Sequence, residues 1–488
     1  MLTLPTLDDG RRLRDFLAAA DYTQKHFQET TDLRELPIRS GNNPELLART
    51  AELSVLNVLL RWFFLGMPQS AAAAGGFIPQ DIVRILTECG LLRRDGDLLA
   101  PNVMLTPCDE FYFAADPVTR MSSPDSASTV LWPNPTTRLL QLFSVRKHSR
   151  ATLDLGTGCG ILGILSANFS ERVTATDLNP RAGEFTLFNA RLNGVANIEY
   201  LTGDTFEPVA GRRFDLILAN PPFFVTPTSG QMFCENEMEL DQYCRRVVRE
   251  AAGQLNEGGF FQAVVEWVQL AGQTWQERLA EWLEGSGCDA WVLRTYIRDA
   301  AGYARERIRE TLPHESYSDR LEQWMKYYRD RGVEEIHGGI LAMRRRSGQN
   351  WRRLEGTPVE ATAPFGELVQ ATFATEDILH ERPDDAALLA MRPKLAAGAE
   401  LDQRFRNEGG KWVPQSLHVM LTGAAPAHSA VEREVAGFIG RCDGTRTLGE
   451  LAGELAAVVH VSPEAAQTQC CNVVRTLASR RILQLSRG

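Results

Sequence analysis

The sequence predicts an α/β domain whose mostly parallel sheet is wound by helices on both faces, with smaller helical regions on either side of it. Three observations carry this. Within Ala151 to Phe224, the run ATLDLGTGCGILGILSAN gives an apolar strand, a glycine turn and a helix in succession. Apolar strand-like runs then alternate with helical ones as far as Met343, the rhythm of strands joined by crossover helices. Finally, Asp154, Asp177 and Asp204 all fall at strand ends, where such sheets hold their ligands.

Composition bounds the rest. With 488 residues, 44% apolar and 23% charged, the chain has material for about two to four domains. A formal charge of −10 argues against a broad non-specific field for nucleic acid, since such affinity comes from neutralising phosphates; a local basic face stays open. Nine cysteines without CxxC spacing, including the adjacent pair Cys470 and Cys471, point to reduced thiols, with neither a disulfide framework nor a metal site. The opening MLTLPTLDDGRRLRDF has no apolar signal segment. The most hydrophobic run, Leu53 to Leu65, is broken by Asn57 and Arg61 and is too short for a bilayer. A soluble, cytoplasmic protein without membrane contact is expected.

Residues 1–110 read as a helical domain, with apolar spacing in Leu13 to Ala20, Leu46 to Leu65 and Ile82 to Leu92. The last run enters a small hairpin at GLLRRDG, residues 90–96. Helices ending in such a hairpin form winged helices, which dock nucleic acid or protein. Residues 111–150 connect this region to the glycine turn and include a candidate lid, Trp132 to Leu140, where Pro135 suits a first helical turn and Thr136 or Thr137 suits a cap.

In the core, 151–350, strands are expected at Thr152 to Leu155, Arg172 to Thr176, Ile198 to Leu201, Phe214 to Ala219, Phe260 to Val265, Trp291 to Thr295 and Ile336 to Met343. The intervening helices fall at Ile161 to Asn168, Arg181 to Asn193, Leu240 to Leu255 and Trp275 to Glu284. Between Tyr296 and Arg331 lies an Arg-, Glu- and Tyr-rich helical insertion, read as a solvated pair with a few aromatics packed beneath, or else as a cover for the site. Residues 351–430 read as an irregular, partly β linker region, poorly periodic from Thr357 to Gly398 and with a linker at Gly423 to Ala427. Residues 431–488 read as three helices: one through Phe438, one to Val459 capped by Thr447, and one from Glu464 to Leu483.

The glycine turn admits two ligands. Gly158-Cys-Gly160-Ile-Leu-Gly163 matches GxGxxG, and Asp177 follows at the next strand end, as in a nicotinamide dinucleotide site. Asp154, however, puts a carboxylate where a pyrophosphate would pack, whereas a ligand amine would be attracted to it. Asn220-Pro221-Pro222-Phe223, after the fourth strand, has no use in a dehydrogenase. These features together resemble the class I S-adenosyl-L-methionine methyltransferases that carry an Asn-Pro-Pro-aromatic motif. The resemblance covers roughly 132–346 and implies a seven-stranded, Rossmann-like sheet with its last strand antiparallel.

On this reading S-adenosyl-L-methionine is the cofactor. Asp154 accepts from its amine, directly or through water. Backbone N–H groups of the loop through Gly156, Thr157, Gly158 and Gly160 meet its carboxylate. Asp177, helped by Asn179, takes the ribose hydroxyls, while Asp204 with the N–H of Thr205 reads the adenine edge. An amide or aromatic amino nitrogen must be drawn out of plane before it can accept a methyl group. The Asn220 side-chain oxygen and the Pro221 carbonyl are placed to take its two N–H bonds, Pro221 and Pro222 stiffen the turn, and Phe223 stacks on a flat acceptor.

The run from Asn220 to Pro227 is similar to the Asn-Pro-Pro-Tyr segment of the release-factor glutamine methyltransferases, and Trp132 to Leu140 to the segment before the glycine loop in that family. Phe223 replaces its tyrosine, as in ribosomal RNA amino-methyltransferases, and Arg138 stands where the family has glutamate. A protein acceptor of release-factor type, or RNA, is therefore the implied partner. Residues 1–110 resemble a winged helix and residues 431–488 a winged-helix or PqqD-like module, which leaves open a protein that only binds the cofactor and a nucleic acid or peptide.

Overall fold

The alternation of short apolar runs and helices builds a large, mostly parallel sheet. This computed structural model describes residues 2–31, 44–123, 125–227, 232–311, 317–356, 363–381, 383–422 and 425–486. The chain falls into two units, Met1–Gln141 with Arg146–Asn350, and Leu142–Val145 with Trp351–Gly488. The first unit supplies β1 (Thr152–Leu155), β2 (Val173–Asp177), β3 (Ile198–Thr202), β4 (Phe214–Ala219), β5 (Leu255–Leu270), β6 (Cys288–Asp299) and β7 (Val333–Arg345). They lie in the order β3-β2-β1-β4-β5-β7-β6. The first five in this order are mutually parallel, and β7 runs antiparallel to both β5 and β6. Between β1 and β4 the winding reverses direction, so the loops leaving their carboxyl ends diverge and open a crevice.

Strand β1 is buried along its whole length, as is β4 apart from half-buried Asp215. The last three strands run well past their expected ends. Each contains fully buried polar residues: Gln262 and Glu266 in β5, Asp289 in β6 and His337 in β7. Such residues interrupt an apolar pattern, and they are tolerated inside because they are paired. Asp289 bonds Arg344 at 2.6 Å and Arg346 at 2.6 and 2.8 Å, and Glu266 bonds Arg307 at 2.7 Å and both Tyr296 and Tyr303.

The N-terminal stretch contains helices Leu7–Ala19, Gln24–Thr31, Pro44–Arg49, Val55–Phe63, Ala71–Gly75 and Gln80–Glu88. The expected single run from Leu46 to Leu65 is two helices, the second capped by Ser54, whose Oγ accepts from the Asn57 N–H at 3.1 Å. The hairpin after the last helix is present as Leu92–Asp95 and Leu98–Pro101, with Gln69–Ser70 beside the second strand.

A second hairpin, Met104–Cys108 with Phe111–Ala115, is buried throughout. Its outer edge is closed by a helix rather than by a strand. Asn189 and Asn193 stand one turn apart on α3 (Pro180–Leu192) and at its C-cap. Asn193 accepts from the Tyr112 N–H (2.9 Å) and donates to its carbonyl (2.7 Å). Asn189 does the same to Ala114 (2.8 and 2.9 Å) and donates to the Cys159 carbonyl as well (2.8 Å). Two amide side chains thus satisfy backbone groups that would otherwise be left as an open sheet edge.

The insertion consists of helices Ala300–Thr311 and Tyr317–Asp330; its residues 312–316 lie outside the described ones. Tyr303, Trp324 and Tyr328 are buried beneath it. The Tyr303 hydroxyl accepts from the Val225 N–H (3.1 Å), and that of Tyr328 donates to the Val225 carbonyl (2.6 Å). The pair therefore braces the segment that follows Asn220 to Phe224.

The second unit holds three helices where they were expected, Arg433–Ile439, Leu448–Val459 and Pro463–Ser479. Thr447 caps the second in a reciprocal box with Glu450. The third stops earlier than expected, because Leu483–Ser486 pairs as a strand with Arg392–Leu395. Helix Gly366–His380 was not foreseen: it buries Val369, Thr372, Phe373, Thr375 and Ile378, too wide a spread to show as one periodic stripe. The antiparallel hairpin Ala399–Glu408 with Lys411–Leu421 occupies much of the remaining linker stretch. Residues 357–362 of the poorly periodic stretch and 423–424 of the expected linker lie outside the described residues.

Candidate functional site

The carboxyl ends of β1 to β4 open into a cavity of about 520 Å³, within the size range of small-molecule sites. Its floor is the glycine turn between β1 and α2 (Ile161–Ser166). Gly156, Gly158 and Gly160 have φ of +71°, +56° and +86°, the left-handed region open to glycine. A Cβ at Gly160 would also meet Thr186 at 3.0 Å.

The turn is held by its own amides. The N–H groups of Gly156 and Thr157 both donate to the Thr176 carbonyl at 2.9 Å, and that of Gly160 to the Thr157 carbonyl at 2.9 Å. The Gly158 N–H donates to Asp177 Oδ2 at 2.9 Å. Four amides expected to face a ligand carboxylate are thus engaged inside the protein, because so tight a turn needs them to keep its shape.

Asp154 does not line the cavity, contrary to a direct contact with a ligand amine; it is 1% exposed, behind the turn. Its Oδ2 accepts from the Thr157 hydroxyl (2.6 Å) and the Gly163 N–H (2.8 Å), while Oδ1 has no partner. Burial raises its pKa to about 6 against the ordinary 3.8, offset in part by those two bonds. A buried group with a raised pKa adds stability that is complete below about 3.8 and is lost as pH rises through about 6. Asp154→Asn is therefore expected to stabilise the ligand-free protein by roughly 1–3 kcal/mol at pH 8. The gain should vanish near pH 4, and thermal unfolding of both proteins at the two pH values checks it.

Asp177 does line the cavity, with one N–H on each oxygen: Gly158 on Oδ2, and Asn179 on Oδ1 at 2.8 Å. Burial pushes its pKa up, against the pull of those amides. Asn179, expected to assist it, is engaged at both ends of its side chain. Oδ1 caps α3 at the Arg181 N–H (3.1 Å), and Nδ2 donates to the Ser128 carbonyl (2.9 Å). Arg181 also reaches Ser128 and forms a two-pronged pair with Asp116 at 2.6 and 2.7 Å. That pair anchors Thr129 to Trp132, one wall of the cavity.

Asp204 and Thr205 line the next wall, with two residues the sequence did not single out, Tyr243 and Arg246 of α4 (Gln242–Gly253). Arg246 bonds Asp204 Oδ2 and Thr205 Oγ1, each at 3.0 Å. Thr205 sits at φ +44°, a strained position for a β-branched residue. Burial keeps the Tyr243 hydroxyl protonated far above its ordinary range. Tyr243, Arg246 and Glu250 share one helix face at spacings of three and four, a signal that could have found them.

Asn220, Pro221 and Pro222 form the far wall; Phe223 does not. Phe223 is 9% exposed and its ring packs against that of Phe224 with centroids 5.6 Å apart, so the expected stacking on an acceptor is not available to it here. Asn236 donates to the Pro222 carbonyl at 2.9 Å. Asn220 Nδ2 donates to the hydroxyls of Thr137 (2.9 Å) and Thr136 (3.3 Å), and its Oδ1 is buried without a partner. The two threonines were expected to cap the helix here. Asn134 caps it instead, accepting from the Thr137 N–H at 2.9 Å. Arg138 turns away to Asp109 (3.0 Å) and Gln141 (2.5 Å).

Strand order, glycine turn and asparagine-proline-proline wall define a domain of the methyltransferase class. Residues 133–281 match the model of the methyltransferase small domain. A release factor glutamine methyltransferase of Deinococcus radiodurans is 32% identical over 152 residues, 28% of this chain and 53% of that protein. A ribosomal protein L11 methyltransferase of Mesorhizobium japonicum is 49% identical over 87 residues, 17% and 30% of the respective chains. A tRNA1(Val) (adenine(37)-N6)-methyltransferase of Actinobacillus pleuropneumoniae is 34% identical over 90 residues, 18% and 38%. The chain thus spans between 30% and 53% of these relatives' own length.

Proposed function

We propose that the protein is an S-adenosyl-L-methionine-dependent methyltransferase acting on a planar nitrogen of a macromolecule, with a protein glutamine amide as the favoured acceptor. The observation that carries this is the Asn220 amide. Its hydrogens are tied back to threonine hydroxyls and its oxygen is left without a partner at the wall of a cavity that Asp177 and Asp204 also line.

The residues suit the cofactor. Asp177 retains lone pairs for ribose hydroxyls, Asp204 and Thr205 offer a polar edge for adenine, and the unpartnered Oδ1 of Asp154 sets a negative charge behind the turn. The cofactor supplies a methyl group on a positively charged sulfur. The chain's part is to hold the acceptor nitrogen: Asn220 Oδ1 takes one of its N–H bonds and the Pro221 carbonyl the other, which draws the lone pair out of conjugation and toward the methyl carbon. Pro221 carries this role because the Pro222 carbonyl is taken by Asn236.

A nucleobase amino group presents the same planar nitrogen, and one relative's name specifies adenine. Electrostatics favours protein. Glu235 and Glu237 line the cavity beside Asp177 and Asp204, with Arg246 as the one lysine or arginine among the described lining residues, and such a wall repels phosphodiesters. Cell extract incubated with enzyme and tritiated S-adenosyl-L-methionine, then divided between protease and RNase, tests this. Label lost to protease is expected; label lost only to RNase would transfer the assignment to RNA.

Cofactor affinity is expected to fall between pH 8 and 5.5, as Asp154, raised by burial to about 6, takes up its proton. The sign is opposite to that of its stability contribution, because a cationic ligand is held by the ionised carboxylate. Calorimetric titration with S-adenosyl-L-methionine at both pH values, in buffers of different ionisation enthalpy, should show proton release on binding near pH 6.

A further inference from the structure

We propose that Asn134 and Thr137 are positioning residues that decide which end of the Asn220 amide faces the acceptor, an assignment that rests on the role given to Asn220 above. A side-chain amide is nearly symmetric in shape. Turning it by half a revolution would replace the accepting oxygen with an NH2 group that repels an acceptor's N–H. The threonine hydroxyls beside Asn220 cannot prevent this alone, since a hydroxyl donates as readily as it accepts.

Asn134 breaks the symmetry. Its Oδ1 accepts three bonds: from the Thr137 N–H (2.9 Å), the Thr137 hydroxyl (3.0 Å) and the Thr136 hydroxyl (2.8 Å). A backbone N–H only donates, so the atom facing it must be the Asn134 oxygen. That oxygen then draws both hydroxyl protons toward itself and leaves the hydroxyl lone pairs pointing at Asn220, which can meet them only with its NH2 group. Direction is passed from one irreversible donor, an otherwise unpaired amide in the first turn of helix α1 (Pro135–Phe143), through Asn134 and Thr137 to the wall of the cavity. The result is the unpartnered Asn220 oxygen. Thr137 is 7% exposed, so water does not readily stand in for its hydroxyl.

The test uses the full chain, tritiated S-adenosyl-L-methionine, and the extract fraction that the unaltered enzyme labels. Thr137→Val removes the hydroxyl and keeps the shape; its kcat is expected to fall about tenfold or more, with the Kd for S-adenosylhomocysteine within about threefold. Thr137→Ser restores the hydroxyl and is expected to stay within about threefold of the unaltered kcat. Should Thr137→Val fail to fold, Asn134 supplies the second comparison. Asn134→Gly keeps a competent helix cap but no side-chain acceptor, and is expected to lose kcat; Asn134→Asp keeps the acceptor and is expected to retain it.

Unchanged kcat in Asn134→Gly, or in the combined Thr136→Val and Thr137→Val protein, overturns the proposal while leaving Asn220 in its role, provided Asn220→Ala is still impaired. A fully active Asn220→Ala overturns both.

Discussion

Asn220→Ala is expected to bind S-adenosylhomocysteine as tightly as the unaltered protein and to lose on the order of 10²-fold or more in turnover. The argument is geometric. The Asn220 oxygen has no other partner, so its removal takes away an acceptor already in place without disturbing a bond that supports the fold. Only its NH2 contacts with Thr136 and Thr137 are lost, and both hydroxyls keep Asn134. Asp177, the turn and Asp204 are untouched, which separates binding from transfer. Single-turnover labelling alongside calorimetry measures the two independently; comparable losses in both would mean that Asn220 shapes the cofactor pocket instead.

The second large effect concerns stability. Asn189→Leu is expected to destabilise the first unit by about 3–5 kcal/mol. One side chain satisfies three buried backbone groups: the Ala114 N–H, the Ala114 carbonyl and the Cys159 carbonyl. Leucine fills the volume and leaves all three unpaired in a site from which Asn189, 0% exposed, excludes water. Urea unfolding should show a lowered midpoint. Because Cys159 belongs to the glycine turn, affinity for S-adenosylhomocysteine should fall with it. Asn197→Ala, which removes bonds to the Ala167 and Ser170 carbonyls at a half-buried position, is a control expected to cost less.

How far the chain could be read before its structure depended on what kind of signal each part carries. Strand ends are marked by apolar runs stopping at a polar residue, so Asp177, Asp204 and Asn220 were found at the sheet edge where the cavity lies. Position along the chain does not give direction. Asp154 and Phe223 are adjacent in sequence to lining residues, yet one supports the turn from behind and the other packs on Phe224. Paired polar residues inside strands hid the true lengths of β5, β6 and β7, since Glu266 and Asp289 resemble strand ends until Arg307, Arg344 and Arg346 are seen beside them. Asn134 stood before Pro135 and an apolar run, a cap signature open to sequence reading. Asn189 and Asn193 gave no such sign: at a spacing of four on a helix they look like a solvated face, and only the hairpin opposite reveals their use.

That hairpin extends the compact domain upstream of the family match. The family match begins at residue 133, but a protein trimmed to that point would lack the Phe111–Ala115 strand, the Asp116 partner of Arg181, and Thr129 to Trp132 of the cavity wall. Helix α3 would present bare asparagines to water, and the glycine turn would lose the neighbour that steadies Asn189. Hence residues 104–132 are part of what holds the cavity in shape, and any shortened form meant to retain the cavity should start before Met104.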